Sequence, residues 1–180
     1  MSTRGLIGMA FVLMSLAGCS VAYVSQPLGE TPLVLSADEW EGTWVHKEGA
    51  LTIKVLDAKQ GRIQVGWIES NQDRLKLLAY DIALYRSGDW VFGNAKESPS
   101  SPNYLWARVK NEGGQITVWF PDMAQLERLV KEGVLPGAVD EDDNVFLAPL
   151  TPDQMRVITS GSHGSVLDWD EPIVLIHISR

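Results

Sequence analysis

Between residues 50 and 69 the chain alternates between apolar and polar side chains. In ALTIKVLD (50–57) Leu51, Ile53 and Val55 share one parity, with Thr52 and Lys54 on the other. After AKQG, RIQVGWIE (62–69) repeats the pattern with Ile63, Val65 and Trp67. Successive strand side chains point to opposite faces, so a period of two with polar partners predicts an antiparallel hairpin with one buried face. Further strands are predicted at GTWVHK (42–47), LKLLAYDIALYR (75–86, apolar on both parities), WVFGNA (90–95), YLWARV (104–109) and QITVWF (115–120). The last two form a hairpin across KNEGG, where two glycines permit the turn. KESPSSPN (96–103) reads as a loop.

After residue 120 the period changes. PDMAQLERLVKEG (121–133) predicts a helix capped by Asp122, with Gln125 completing a capping box and Gly133 as the stop. LTPDQMRVITSG (150–161) predicts a second, with Thr151 as N-cap, Pro152 at the first helical position and Gly161 at the end. NVFLAP (144–149) is a short candidate strand, and DEPIVLIHIS (170–179) is a strongly apolar one. The expected fold is mainly β: an antiparallel meander curled into a barrel or strongly bent sheet, with two short helices before the last strand. A last strand pairing with an early one would remove the exposed edges. Residues 38–180 form one such domain. Trp40-x-Gly42-x-Trp44 resembles the first-strand motif of lipocalin-type barrels, which implies a ligand-holding interior.

The N-terminus reads MSTRGLIGMAFVLMSLAGCS. Arg4 precedes an apolar run over 6–16, too short for the ~20 residues of a membrane-spanning helix and suited to a signal-peptide core. Leu16-Ala17-Gly18-Cys19 follows, and Cys19 is the single cysteine of the chain. This resembles the lipobox of bacterial lipoprotein precursors. The resemblance implies a signal peptide over 1–18, cleavage before Cys19, and acyl chains on Cys19 that anchor the mature protein in a membrane. Ser20 in the next position, where an aspartate would signal retention, implies the periplasmic face of the outer membrane. Residues 19–37, with Pro27, Gly29 and Pro32 and no clean period, are expected to be the lipidated cysteine and a tether.

The net charge of −8 offers no basic stripe for nucleic acid. Seven tryptophans are many for 180 residues. Trp44, Trp67, Tyr80, Trp106 and Trp119 are candidate lining residues for an apolar ligand, and Asp81, interrupting an apolar strand, is a candidate recognition group or structural ion-pair member. Trp67 shares the parity of Ile63 and Val65 and should face inward, whereas Trp119 opposes Ile116 and Val118. The run DEDDN (140–144) begins like a calcium loop, but Val145 and Thr151 stand where glycine and glutamate are required. His46, His163 and His177 have no metal-ligand spacing, and Ser162 beside His163 lacks the context of a catalytic serine. No metal, cofactor or reaction is therefore expected. The sequence points to a lipid-anchored, non-catalytic envelope protein that binds a small apolar ligand or peptide, or alternatively to a scaffold for another envelope protein, with a hydrolase a remote third.

Overall fold

The computed structural model describes residues 20–47, 49–71 and 74–179; the expected signal peptide over 1–18 and Cys19 lie outside the described residues. In chain order the elements are β1 (Ala22–Val24), β2 (Thr31–Pro32), α1 (Ala37–Trp40), β3 (Gly42–His46), β4 (Gly49–Asp57), β5 (Arg62–Asn71), β6 (Arg74–Ser87), β7 (Trp90–Lys96), β8 (Tyr104–Glu112), β9 (Gln115–Trp119), α2 (Met123–Lys131), β10 (Gly137–Val139), β11 (Val145–Leu147), α3 (Pro152–Ser160) and β12 (Ile173–Ser179).

Strands β3 to β9 form an antiparallel meander, and β12 closes it by pairing with both ends. Leu175 lies opposite Ile116 of β9, and His177 opposite Trp44 of β3. The result is a closed eight-stranded antiparallel barrel, and closure leaves these strands no free edge. The expected barrel with helices before the final strand is what the chain forms. The apolar stretch 75–86 is the long strand β6, which pairs with β5 through residues 74–83 and with β7 only from Ile82 onward. The β5–β6 hairpin therefore overhangs the rest of the barrel.

Two apolar cores flank the same strands. One fills the lower barrel with Leu35, Trp40, Trp44, Ile53, Ile63, Leu84 and Ile116. The other lies outside the barrel, where α2, α3, β1 and β11 cover the outer faces of β7 and β8 with Leu126, Leu129, Ile158, Val145 and Leu147 around Phe92 and Trp106. The capping box of α3 forms between Thr151 and Gln154. In α2 the Asp122 carboxylate accepts the Gln125 N–H, but the Gln125 side chain donates instead to the His163 carbonyl, so the expected box is only half made.

The segment expected as a tether belongs to the domain. Ala22 and Val24 are buried, with β1 parallel to β11 and antiparallel to β8. The Asn94 carboxamide accepts the Leu28 N–H at 2.7 Å and donates back to the Leu28 carbonyl at 3.1 Å. Leu33 and Leu35 donate to the carbonyls of Leu84 and Ala58, strapping the chain across one barrel end. Proline and glycine break the periodicity of this stretch, and the sheet it joins supplies the partners its own sequence does not announce.

Candidate functional site

Alternation along the barrel strands builds an apolar interior. The inward residues are Leu51 and Ile53 of β4, Ile63, Val65 and Trp67 of β5, and Leu78, Tyr80, Ile82 and Leu84 of β6, followed by Val109, Ile116, Val118, Ile173 and Leu175 from the closing strands. On β7 and β8 the same inward parity falls on Gly93, Ala95 and Ala107. Gly93 lies directly opposite Ala107, so this wall is low at its middle, between Leu105 and Val109 of β8. The interior is accordingly not filled: it holds a cavity of about 790 Å³, within the ~300–1,000 Å³ range of ligand pockets.

The floor is aromatic. Trp40 of α1 and Trp44 of β3 are both buried, and the Trp44 Nε1–H donates to the Trp40 carbonyl at 3.0 Å. The His177 ring packs 4.7 Å from the Trp44 ring. The ionisable side chains His46, Lys47, Asp168, Asp170 and Glu171 all stand at the rim, and the deeper lining carries none. A second approach lies beside β8. Its first residues pair with β1 and its last with β9, so β8 forks, and Ser20, Val21 and Ala22 border the cavity next to Trp106, Phe120 and Pro121. The indole N–H groups of Trp67 and Trp106 are buried with no hydrogen-bond partner among the described residues.

The six candidate ligand residues separate. Trp67 and Tyr80 line the cavity, as their parity requires. Trp106 borders it, but its ring belongs to the outer core, 6.1 Å from Phe92. Trp44 does not line the cavity; it is fully buried in the barrel core, packed with Trp40. Asp81 does not face the ligand space. Its neighbours Tyr80 and Ile82 point inward, so its carboxylate lies on the outer face, about half exposed, 3.5 Å from Arg62 and accepting from Gln64 at 3.0 Å. Trp119 also faces outward. With Trp90 and Trp169 it encloses the Arg108 guanidinium, whose centre lies 4.1 Å from the Trp90 ring, 4.8 Å from Trp169 and 5.1 Å from Trp119. Partial burial against these rings lowers the Arg108 pKa. The residues that open the interior, Gly93, Ala95 and Ala107, were not candidates. Their signal was three small residues at inward parity on adjacent strands.

The acidic run is structural in its contacts. The Asp140 carboxylate accepts from the backbone of Asp142 and Asn144 and from the Asn144 side chain, and these hydrogen bonds hold its pKa below the ordinary carboxylate value. Asn144 in turn accepts the Val21 N–H at 2.9 Å. No cluster of metal-ligating side chains occurs among the described residues. His163 lies in the loop after α3, where its carbonyl accepts from Gln125 and Arg128. No described helix is long and apolar enough to cross a membrane. The chain matches no family model, no curated protein and no solved structure with which it was compared.

Proposed function

We propose that this protein is a lipid-anchored envelope carrier, tethered through acyl chains on Cys19 to the periplasmic face of the outer membrane, whose barrel holds one small apolar ligand. The observation that carries the reading is the 790 Å³ interior, closed by tryptophans at one end and bounded by aliphatic side chains. The space opens to solvent at the rim, and its deeper lining is mainly aliphatic, with the unpaired Trp67 and Trp106 indole N–H groups as polar exceptions. Water needs two to four polar partners, so an apolar ligand suits most of that wall better than water does. A scaffold for another envelope protein draws no support from an interior left open.

Two measurements test this. Titrating the Cys19→Ser protein, which carries no acyl chain of its own, with a fluorescent polyene fatty acid should quench tryptophan emission and give saturable, one-to-one binding; linear, unsaturable uptake would remove the carrier reading. Growing cells with radioactive palmitate should label the wild-type chain and leave Cys19→Ser unlabelled. Equal labelling, or none in either, would remove the anchor.

A further inference from the structure

The start of the described chain is fixed in place against the cavity. The Val21 N–H donates to Asn144 Oδ1 at 2.9 Å, and the Val21 carbonyl accepts the Val145 N–H at 2.9 Å. Ala22, the next residue, is 3% exposed and sits in a strand bonded on both sides. Ser20 and Val21 themselves border the cavity at the fork of β8. Cys19 is bonded to Ser20, and one residue of chain spans at most ~3.6 Å. A group carried by Cys19 is thus one residue of chain away from a position that borders the apolar space.

The size and charge of that space select what enters. If a methylene takes about the ~30 Å³ of one water, 790 Å³ admits ~26 of them: one long acyl chain with part of its glycerol end, but not three chains. The deeper wall carries no ionisable side chain, so the occupant it suits is an uncharged chain. A chain already attached also forfeits no translational freedom on entering and is present at the high effective concentration of an intramolecular ligand. The chains left outside still hold the bilayer, since two suffice for stable anchoring.

We propose that the barrel shelters one acyl chain carried by the protein's own Cys19, entering through the β8 fork. This rests on the carrier reading above. The test uses the full-length protein in cells fed a photoreactive diazirine fatty acid, irradiated in the membrane and digested for mass spectrometry. The expected result is a covalent link between the Cys19 lipid and interior residues of the same chain, such as Val65, Ile82 and Ala107, that is lost in Ala107→Phe. The Cys19→Ser protein supplies the second arm, with a diazirine phospholipid as probe. Interior adducts from the phospholipid in both proteins, with the Cys19 chain of the wild type crosslinked only to bilayer lipid, would overturn this proposal and leave the carrier reading standing. Absence of interior adducts from either source would overturn both.

Discussion

Replacing Ala107 by phenylalanine separates an open barrel from a packed one. Ala107 is 7% exposed, points inward, and faces Gly93 across the strand pair. In a close-packed interior, a ring inserted here would force neighbours off their rotamers and cost ~1–3 kcal/mol. In the cavity described here the ring has space. Burying a phenylalanine contributes ~1.5–3 kcal/mol relative to leaving it exposed, and incomplete wall contact with lost side-chain freedom reduces that. The expected change is therefore between zero and ~1.5 kcal/mol of added stability. Ligand binding should move the other way. Displacing even two methylenes of an acyl chain forfeits ~1.6 kcal/mol, more than tenfold in affinity. Urea denaturation and titration with the fluorescent fatty acid, both in the Cys19→Ser background, read the two effects on one sample. Leu129→Phe, in the outer core where Leu129 is 0% exposed, is the matched control and should lose ~1–3 kcal/mol. A107F as destabilising as L129F, or binding the probe as tightly as its Cys19→Ser parent, would refute the reasoning.

Other positions give independent tests. Asn94→Ala leaves the buried Leu28 N–H and carbonyl without partners and should cost ~2 kcal/mol, lowering Tm by ~4–8 °C for a chain of this size; an unchanged Tm would mean the 20–37 segment is not docked through this side chain. Arg108→Ala removes the cation from three indole faces and should cost ~1–2 kcal/mol, with a red shift as Trp169, already 41% exposed, gains water. Burial and the hydrogen bond its hydroxyl donates to Glu97 raise the Tyr23 pKa to about 12. Its phenolate should thus appear after that of an ordinary tyrosine, and its stabilising contribution, intact below pH ~10, should be lost as pH rises toward 12. An ultraviolet titration in which all tyrosines ionise together would contradict this. Asn144→Ala should speed amide exchange at Val21 specifically, because that N–H donates to the lost side chain.

The barrel was legible in the sequence because its strands carry clean alternation, and parity alone placed Ile63, Val65 and Trp67 inside. Closure was legible from the apolar last strand, which needed a partner. Three things were not. Segments β1, β2 and β10 are two or three residues long and owe their strand geometry to neighbours far along the chain, so no local period marks them. Asp81 drew attention as a carboxylate in apolar surroundings, but LLAYDIALY is apolar on both parities because β6 packs inward and also carries exterior positions of the barrel. Parity relative to Tyr80 and Ile82, rather than the company it keeps in sequence, decides that it meets Arg62 outside. The tryptophans misdirected the site for a related reason. Large residues are conspicuous, yet Trp44 went to the barrel core, the Trp106 ring packs into the outer core even where it borders the cavity, and Trp119 encloses Arg108.

That division of large and small residues explains how a stable protein can keep an open interior. Strands β7 and β8 serve two cores at once. Their outward residues, Phe92, Asn94 and Trp106, are 0–3% exposed beneath α2 and α3. Their inward residues, Gly93, Ala95 and Ala107, leave room. A Cβ at Gly93 would come within 3.1 Å of Val109 and 3.5 Å of Ile82, its same-face neighbours on the two adjacent strands, so glycine there lets those side chains close over the strand while the space above stays open. The helices thus hold the wall flat from outside, where packing is complete, and the barrel interior need not be filled to define its shape. Stability and capacity then reside in different residues on alternate positions of the same strands. Substitutions at outward positions should lower Tm with ligand affinity intact in whatever remains folded, and substitutions at inward positions should change affinity at nearly constant Tm. A single inward enlargement that unfolded the protein would show that the two functions are not separated in this way.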